Sequence, residues 1–242
     1  MDYDRIIAIS NDKTVYHHGN KRIKVYALKE NFVYALEEAL KTSKVINKTQ
    51  LKVPTIYSVT QTKNVAECVG EFVEGETLFS ILKQNSTNYK NIIDEFLLLH
   101  KKIHSYQNVL SDDENCDNCS IGLDLSNKTL CHGKYSLENV IKDKQGNLHV
   151  IDWVNAFEGN KEKDCMITYF LCLYSLGQNI ADYYLEGYCK LSTISEAEVR
   201  KEETFALRYL VKNFKGSKKS FFTSLLNKWW KLQKTAASAV KR

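Results

Sequence analysis

Proline is almost missing from this 242-residue chain, with Pro54 standing alone. No proline-rich spacer or polyproline segment fits such a composition. The seven cysteines are odd in number and scattered, which excludes a regular disulfide framework and fits reduced thiols. Long apolar runs are absent too. The longest, Met166 to Leu176, is interrupted by Thr168, two tyrosines and Ser175 and is too short to span a bilayer. The opening MDYDRIIAIS has no basic-then-apolar leader. A cytoplasmic location with no transmembrane segment is therefore expected. Glycine is sparse, at ten residues, and none stands in the turn Ser10-Asn11-Asp12-Lys13. No internal repeat or low-complexity linker divides the chain.

What is present is ordinary for a globular protein, 43% hydrophobic and 26% charged. The length suits one large domain or two small lobes around a cleft. The net charge of +5 is uneven, because Lys215 to Arg242 carries eight Lys/Arg and no acid, leaving −3 for the remainder. The basic character thus belongs to a terminal segment. Aromatics interleaved with lysines there do not amount to a nucleic-acid motif. Phe222, Leu225, Leu226, Trp229 and Leu232 mark one face of a helix. Packing on the core is the commoner fate of such a face; lying on a membrane surface is the alternative.

Short strands are expected at Arg5–Ile9, Thr14–His17 and Arg22–Ala27, with His18-Gly19-Asn20 as a hairpin turn. Asn31 caps a helix to about Lys41, with Phe32, Ala35, Leu36, Ala39 and Leu40 as its apolar face. Val53–Tyr57 and Val65–Val73 are further strands. Helices follow over Thr77–Lys83 and Tyr89–Tyr106, then over Cys165–Leu176, Ile180–Leu191 and Glu196–Phe214. His100 and His104 are four apart, but no third ligand is evident, so both are read as structural. Cys116 and Cys119, in the acidic loop Ser111 to Ser120, form one C-x-x-C. A zinc site normally needs a second pair, and a redox pair or two exposed thiols are the other readings.

The most informative stretch is LCHGKYSLENVIKDKQGNLHVIDW, from Leu130 to Trp153. It reads as His-Gly, a polar loop ending at Asn139, then a hairpin closed by Asp152-Trp153. The hairpin brings loop and aspartate to one edge. Asn139 and Asp152 are oxygen ligands of the kind Mg²⁺ prefers, and in kinases an asparagine and an aspartate in this order hold the metals. Here the chain resembles the aminoglycoside phosphotransferase/choline kinase family, whose brace is H-G-D-x-x-x-x-N, a hairpin, then I-D-W or I-D-F. His132, Gly133, Asn139, Ile151, Asp152 and Trp153 fall in register. Lys134 stands where that family has its catalytic aspartate. A protonated lysine cannot accept a substrate's hydroxyl proton.

The resemblance runs from Val15 to about Leu173. It implies an α+β, two-lobed protein-kinase-like fold: residues 1–73 as a β-rich lobe with one main helix, and 74–242 as a helical lobe carrying the motifs. It implies that Lys24 binds phosphate and pairs with Glu38, while Glu37 is solvated. Glu71, Phe72 and Val73 would offer backbone to the base of ATP or GTP. Asn139 and Asp152 would hold Mg²⁺, and Asp164 would brace the catalytic loop. The missing glycine-rich motif sets the chain apart from protein kinases proper. The expected function is ATP- or GTP-dependent transfer of phosphate to the hydroxyl of an unidentified small molecule, through an atypical His-Gly-Lys loop. Glu138 or Asp124 would stand in for the base, or Lys134 would touch the phosphate. The alternative is an inactive pseudokinase that binds nucleotide or another ligand or serves as a scaffold. Either would be a monomer, without nucleic acid.

Overall fold

A computed structural model describes residues 4–9, 13–26, 31–62, 65–85, 87, 89–111 and 128–239. Ser10, Asn11, Asp12, Cys116, Cys119 and Asp124, singled out above, lie outside them.

Alternating, β-branched stretches build the first half. Strands β1 (Arg5–Ile9), β2 (Lys13–His18), β3 (Lys21–Tyr26), β4 (Ile56–Gln61) and β5 (Ala66–Glu71) form an antiparallel sheet ordered β1-β2-β3-β5-β4. Gly19, at φ 57°, makes the β2–β3 turn. β4 starts at Ile56, later than the expected Val53, because Pro54 has no N–H to give a ladder. Register sets Lys24 of β3 opposite Val15 on one side and Cys68 on the other.

Helix α1 (Asn31–Lys48) packs on this sheet. It runs a further two turns past the expected end, and its buried face is Ala35, Glu38, Thr42 and Val45. Leu36 and Leu40, expected on the apolar face, are 40% and 57% exposed. Ala35 and Phe32 do pack against the sheet, but hydropathy alone sets Leu36 and Leu40 there too, because it cannot give Glu38 the core position it takes to meet Lys24.

After Glu71 a short connection, residues 72–74, leads to β6 (Gly75–Thr77), a strand the sequence did not suggest. It pairs with β8 (Val140–Asp143), which pairs with β9 (Leu148–Val150). A side chain at Gly75 would collide with the Lys142 carbonyl, at 2.2 Å. β7 (Thr129–Cys131) and β10 (Phe157–Gly159) form a second small ribbon.

The rest is helical: α2 (Leu78–Gln84, capped by Thr77), α3 (Tyr89–Ile103), α4 (Lys161–Leu176), α5 (Gln178–Ser192), α6 (Glu196–Arg200), α7 (Glu203–Asn213) and α8 (Gly216–Ala239). The stretch 196–214 is two helices, with a break at Lys201–Glu202 after the Ser195 capping box. The basic stretch 215–219 runs into α8, which begins at Gly216. Phe222 of α8 is fully buried, against Phe214 and Tyr174, so the terminal helix docks on this core. Along α3, Ile93, Phe96, Leu97 and Ile103 are buried against α5 and the loop before β8. No described helix is long and apolar enough to cross a membrane.

Candidate functional site

Two carboxylates organise the edge between the five-stranded sheet and the helical part. The first is Asp152, directly after β9. Its backbone is left-handed, at φ 70° and ψ 50°, uncommon for a residue other than glycine. That twist turns its carboxylate into the cleft, where three ammonium groups meet it. Lys24 lies 3.1 Å and Lys13 3.3 Å from Oδ1, and Lys134 lies 2.9 Å from Oδ2. Lys24 also donates to Glu38 at 2.5 Å, and Tyr26 donates to the other Glu38 oxygen at 3.3 Å. Glu37 is exposed. The expected Lys24–Glu38 pairing and the convergence of Lys134, Asn139 and Asp152 are therefore present in space.

Charge settles the protonation states. Burial opposes the Asp152 anion, but Lys134, Lys24 and Lys13 outweigh it and hold its pKa well below the usual carboxylate range. Glu38 is depressed likewise, burial being overcome mainly by Lys24. The Lys134 pKa is raised, chiefly by Asp152. Burial lowers that of Lys24, though Glu38 and Asp152 oppose it. Lys134 is thus a firmly held cation and no proton acceptor.

The second carboxylate, Asp164 in the first turn of α4, is completely buried. Its oxygens accept the His132 and Gly133 backbone N–H groups, both at 2.8 Å. His100 and His104 donate their Nε2–H to it, each at 3.1 Å. Tyr184 and Tyr188 supply hydroxyls to the opposite ring nitrogens. The third group that the His100/His104 pair lacked in the sequence is therefore Asp164. The 3.1 Å spacings are those of N–H···O bonds, and every nitrogen of the two rings is hydrogen-bonded within the core. Burial first, then His104, pushes His100 down to about 3, which keeps that ring neutral. Asp164 stays ionised because these donors outweigh its burial.

The loop between the two carboxylates is rigid. Gly133 has φ 73°, and a Cβ there would lie 2.2 Å from the Asn155 carbonyl, so only glycine fits. His132 donates Nε2–H to the Ile151 carbonyl at 3.0 Å and accepts the Lys134 N–H at 3.3 Å. Asn139 donates its amide N–H to the Lys134 carbonyl at 3.0 Å, leaving Oδ1 as its ligand atom.

A cleft of about 310 Å³ opens at the Lys24–Asp152 end. Apolar Ala8, Val15, Pro54, Ile141 and Ile151 line its walls, and Glu71, Phe72 and Val73 line its outer edge. Glu71 and Phe72 spend their N–H groups on the Thr55 and Asn20 carbonyls, at 2.8 and 3.0 Å. Arg22 also borders this cleft, and its buried Nε has no hydrogen-bond partner among the described residues. A second pocket, about 290 Å³, adjoins it past Lys134.

Lys13, Arg22, Tyr34, Asn155 and Tyr209 were not singled out by sequence reasoning. Lys13 stood out only as a turn residue, and its role needs the β2–β3 register that sets it opposite Tyr26.

The donor set bears on Mg²⁺. That ion needs oxygens at about 2.0–2.1 Å. Both Asp152 oxygens already carry ammonium groups, so Asn139 and Asp152 as placed do not fit a divalent cation unless Lys134 leaves.

No protein-family model matches the chain, and no curated protein matches it in sequence. Solved structures do match. The GDP complex of wild-type aminoglycoside 2'-phosphotransferase-IIIa superposes with a TM-score of 0.62 at 11% identity, covering 94% of this chain and 93% of that one. A putative fructosamine-3-kinase from Haemophilus somnus gives 0.60 at 13%, covering 93% and 92%. A streptomycin–ATP ternary complex of an aminoglycoside 2"-phosphotransferase gives 0.57 at 15%, covering 85% and 82%. At these identities the likeness establishes a shared fold, the α+β protein-kinase-like one.

Proposed function

We propose that this chain is a nucleotide-binding protein of the phosphotransferase-like kinase fold whose catalytic loop is held inactive by Lys134. The observation that carries this is the 2.9 Å contact between Lys134 Nζ and Asp152 Oδ2. One side chain thereby occupies both the place of the base and one face of the ligand carboxylate. ATP or GTP would lie between the apolar walls, its base at the outer edge. There Val73 is the residue of the three whose N–H has no partner among the described residues. Its phosphates would meet Lys13, Lys24 and Lys134, with Arg22 beside them. Three ammonium groups around one carboxylate are a ready counter-charge for a polyphosphate. The names of similar structures, which hold GDP or ATP, support a purine nucleotide. The lobes of this reading divide near residues 73 and 74, and the protein acts as a cytoplasmic monomer.

A second reading, slow transfer of phosphate to a small-molecule hydroxyl, is favoured by the same lysines. Phosphoryl transfer depends mainly on positioning and charge. A base contributes about 10²–10⁴-fold, and that is what the chain forgoes. Lys134→Asp would free Asp152 Oδ2 and supply a carboxylate. Assayed with ATP, Mg²⁺ and a panel of polyols, this variant should gain phosphotransfer by about 10²–10⁴-fold over wild type. A wild type as active as its variant would sink the inactive-loop reading.

A further inference from the structure

The pocket past Lys134 is charged in the opposite sense from one built for a polyamine. Among the described residues lining it, four are lysines and one is an acid. That acid, Glu138, is already matched by Lys218 at 3.3 Å. Lys134 and Lys218 both lie near the Phe214 ring, at 5.8 and 5.6 Å from its centroid, so two ammonium groups face one pocket wall. Lys215 sits next to Phe214, and Tyr209 lines the floor by Gly133. The lining therefore offers cations, aromatic faces and neutral amides. An ammonium-rich ligand would find no carboxylate here that is not already paired.

We infer that this second pocket binds an anionic, hydroxyl-bearing small molecule of the sugar-phosphate or sugar-acid class. The inference rests on the nucleotide reading only for the identity of the neighbouring cleft. The shared chemistry is a polyol with one phosphate or carboxylate. The hydroxyl groups would meet Asn155, Asn213 and Tyr209, and the anion would meet Lys215, with Lys218 turning from Glu138 to join it. An anion's affinity through such partly exposed lysines falls as salt rises.

The test is isothermal titration of the full chain and of a Lys215→Gln/Lys218→Gln variant. The probes are glucose 6-phosphate, glucuronate, glucose and kanamycin, with ADP titrated separately. The expected result is binding of one or both anionic sugars at least tenfold tighter than glucose, with kanamycin weakest. The double variant should lose at least tenfold of that anion affinity. Glucose 6-phosphate against glucuronate tells phosphate from carboxylate. Kanamycin as the tightest ligand, no binding of either anion, or unchanged anion affinity in a variant that melts like wild type would each overturn the inference. ADP distinguishes the two readings. Anion binding without ADP binding removes the nucleotide proposal and leaves this one; ADP binding without anion binding does the reverse.

Discussion

Asp152 and Asp164 are the same residue type, both buried, both ionised, and 12 positions apart in one motif-bearing segment. Their partners differ. Asp164 is held by two backbone N–H groups and two imidazoles inside the helical core. Those donors cannot leave without breaking the fold, so the carboxylate is a brace. Asp152 is held by lysines on three different elements, and the Lys13 and Lys134 side chains are 17% and 30% exposed. Long flexible cations at a cleft can change partners when an anion arrives. A satisfied carboxylate becomes a ligand site when its partners are mobile charges, and a structural pin when they are backbone.

That contrast can be broken from either side. The largest effect is expected at the brace. Asp164→Ala would strand four buried donors and cost about 3–5 kcal/mol, read as a lowered denaturation midpoint at unchanged m-value. Asp152→Ala should cost less, about 1–2 kcal/mol, because Lys24 keeps Glu38 and the other two lysines reach water. With EDTA present the same variant should bind ADP at least as tightly as wild type, since an anion has been removed beside the phosphates. Loss of ADP binding by the variant in EDTA would contradict this and would mean that Asp152 is needed to position the lysines that hold the phosphates.

Acid should sharpen the comparison in small steps, one pH unit at a time. The folded pKa of His100 lies below its unfolded value of about 6.5. The unfolded chain therefore binds the extra proton as pH falls, and stability declines from about pH 6.5 downward, by roughly 1.4 kcal/mol per unit at most. Asp152 and Asp164 are depressed from about 3.9. Their contribution is fully present above about pH 5 and is lost as pH falls through 4 toward the folded values. Urea titrations at pH 7, 6, 5, 4 and 3 would show the early histidine phase, and Asp164→Asn should flatten the later one, below pH 4.

Much of this was legible in the residues. His132, Gly133, Asn139 and Asp152 have spacings that a hairpin turns into one site. His100 and His104 were read as structural for want of a third group, and their carboxylate partner, 60 residues on from His104, was not connected to them. What was hidden depends on register and on buried charge. Lys13 is one lysine among many until β2 pairs with β3. The inward face of α1 was misplaced at Leu36 and Leu40, because a helix carrying a buried glutamate violates the hydropathy pattern that identifies its face. β6 and β10 are three-residue strands, too short to show a period.

The central claim is that lysines, in place of a divalent ion, receive the nucleotide's phosphates at Asp152. Isothermal titration of ADP and ATP into the wild-type protein, once in EDTA and once in Mg²⁺, tests it directly. Binding in EDTA, not strengthened by Mg²⁺ by more than a few-fold, is the predicted result. Binding that appears only with Mg²⁺ would contradict it and would mean that Lys134 yields its place to the metal.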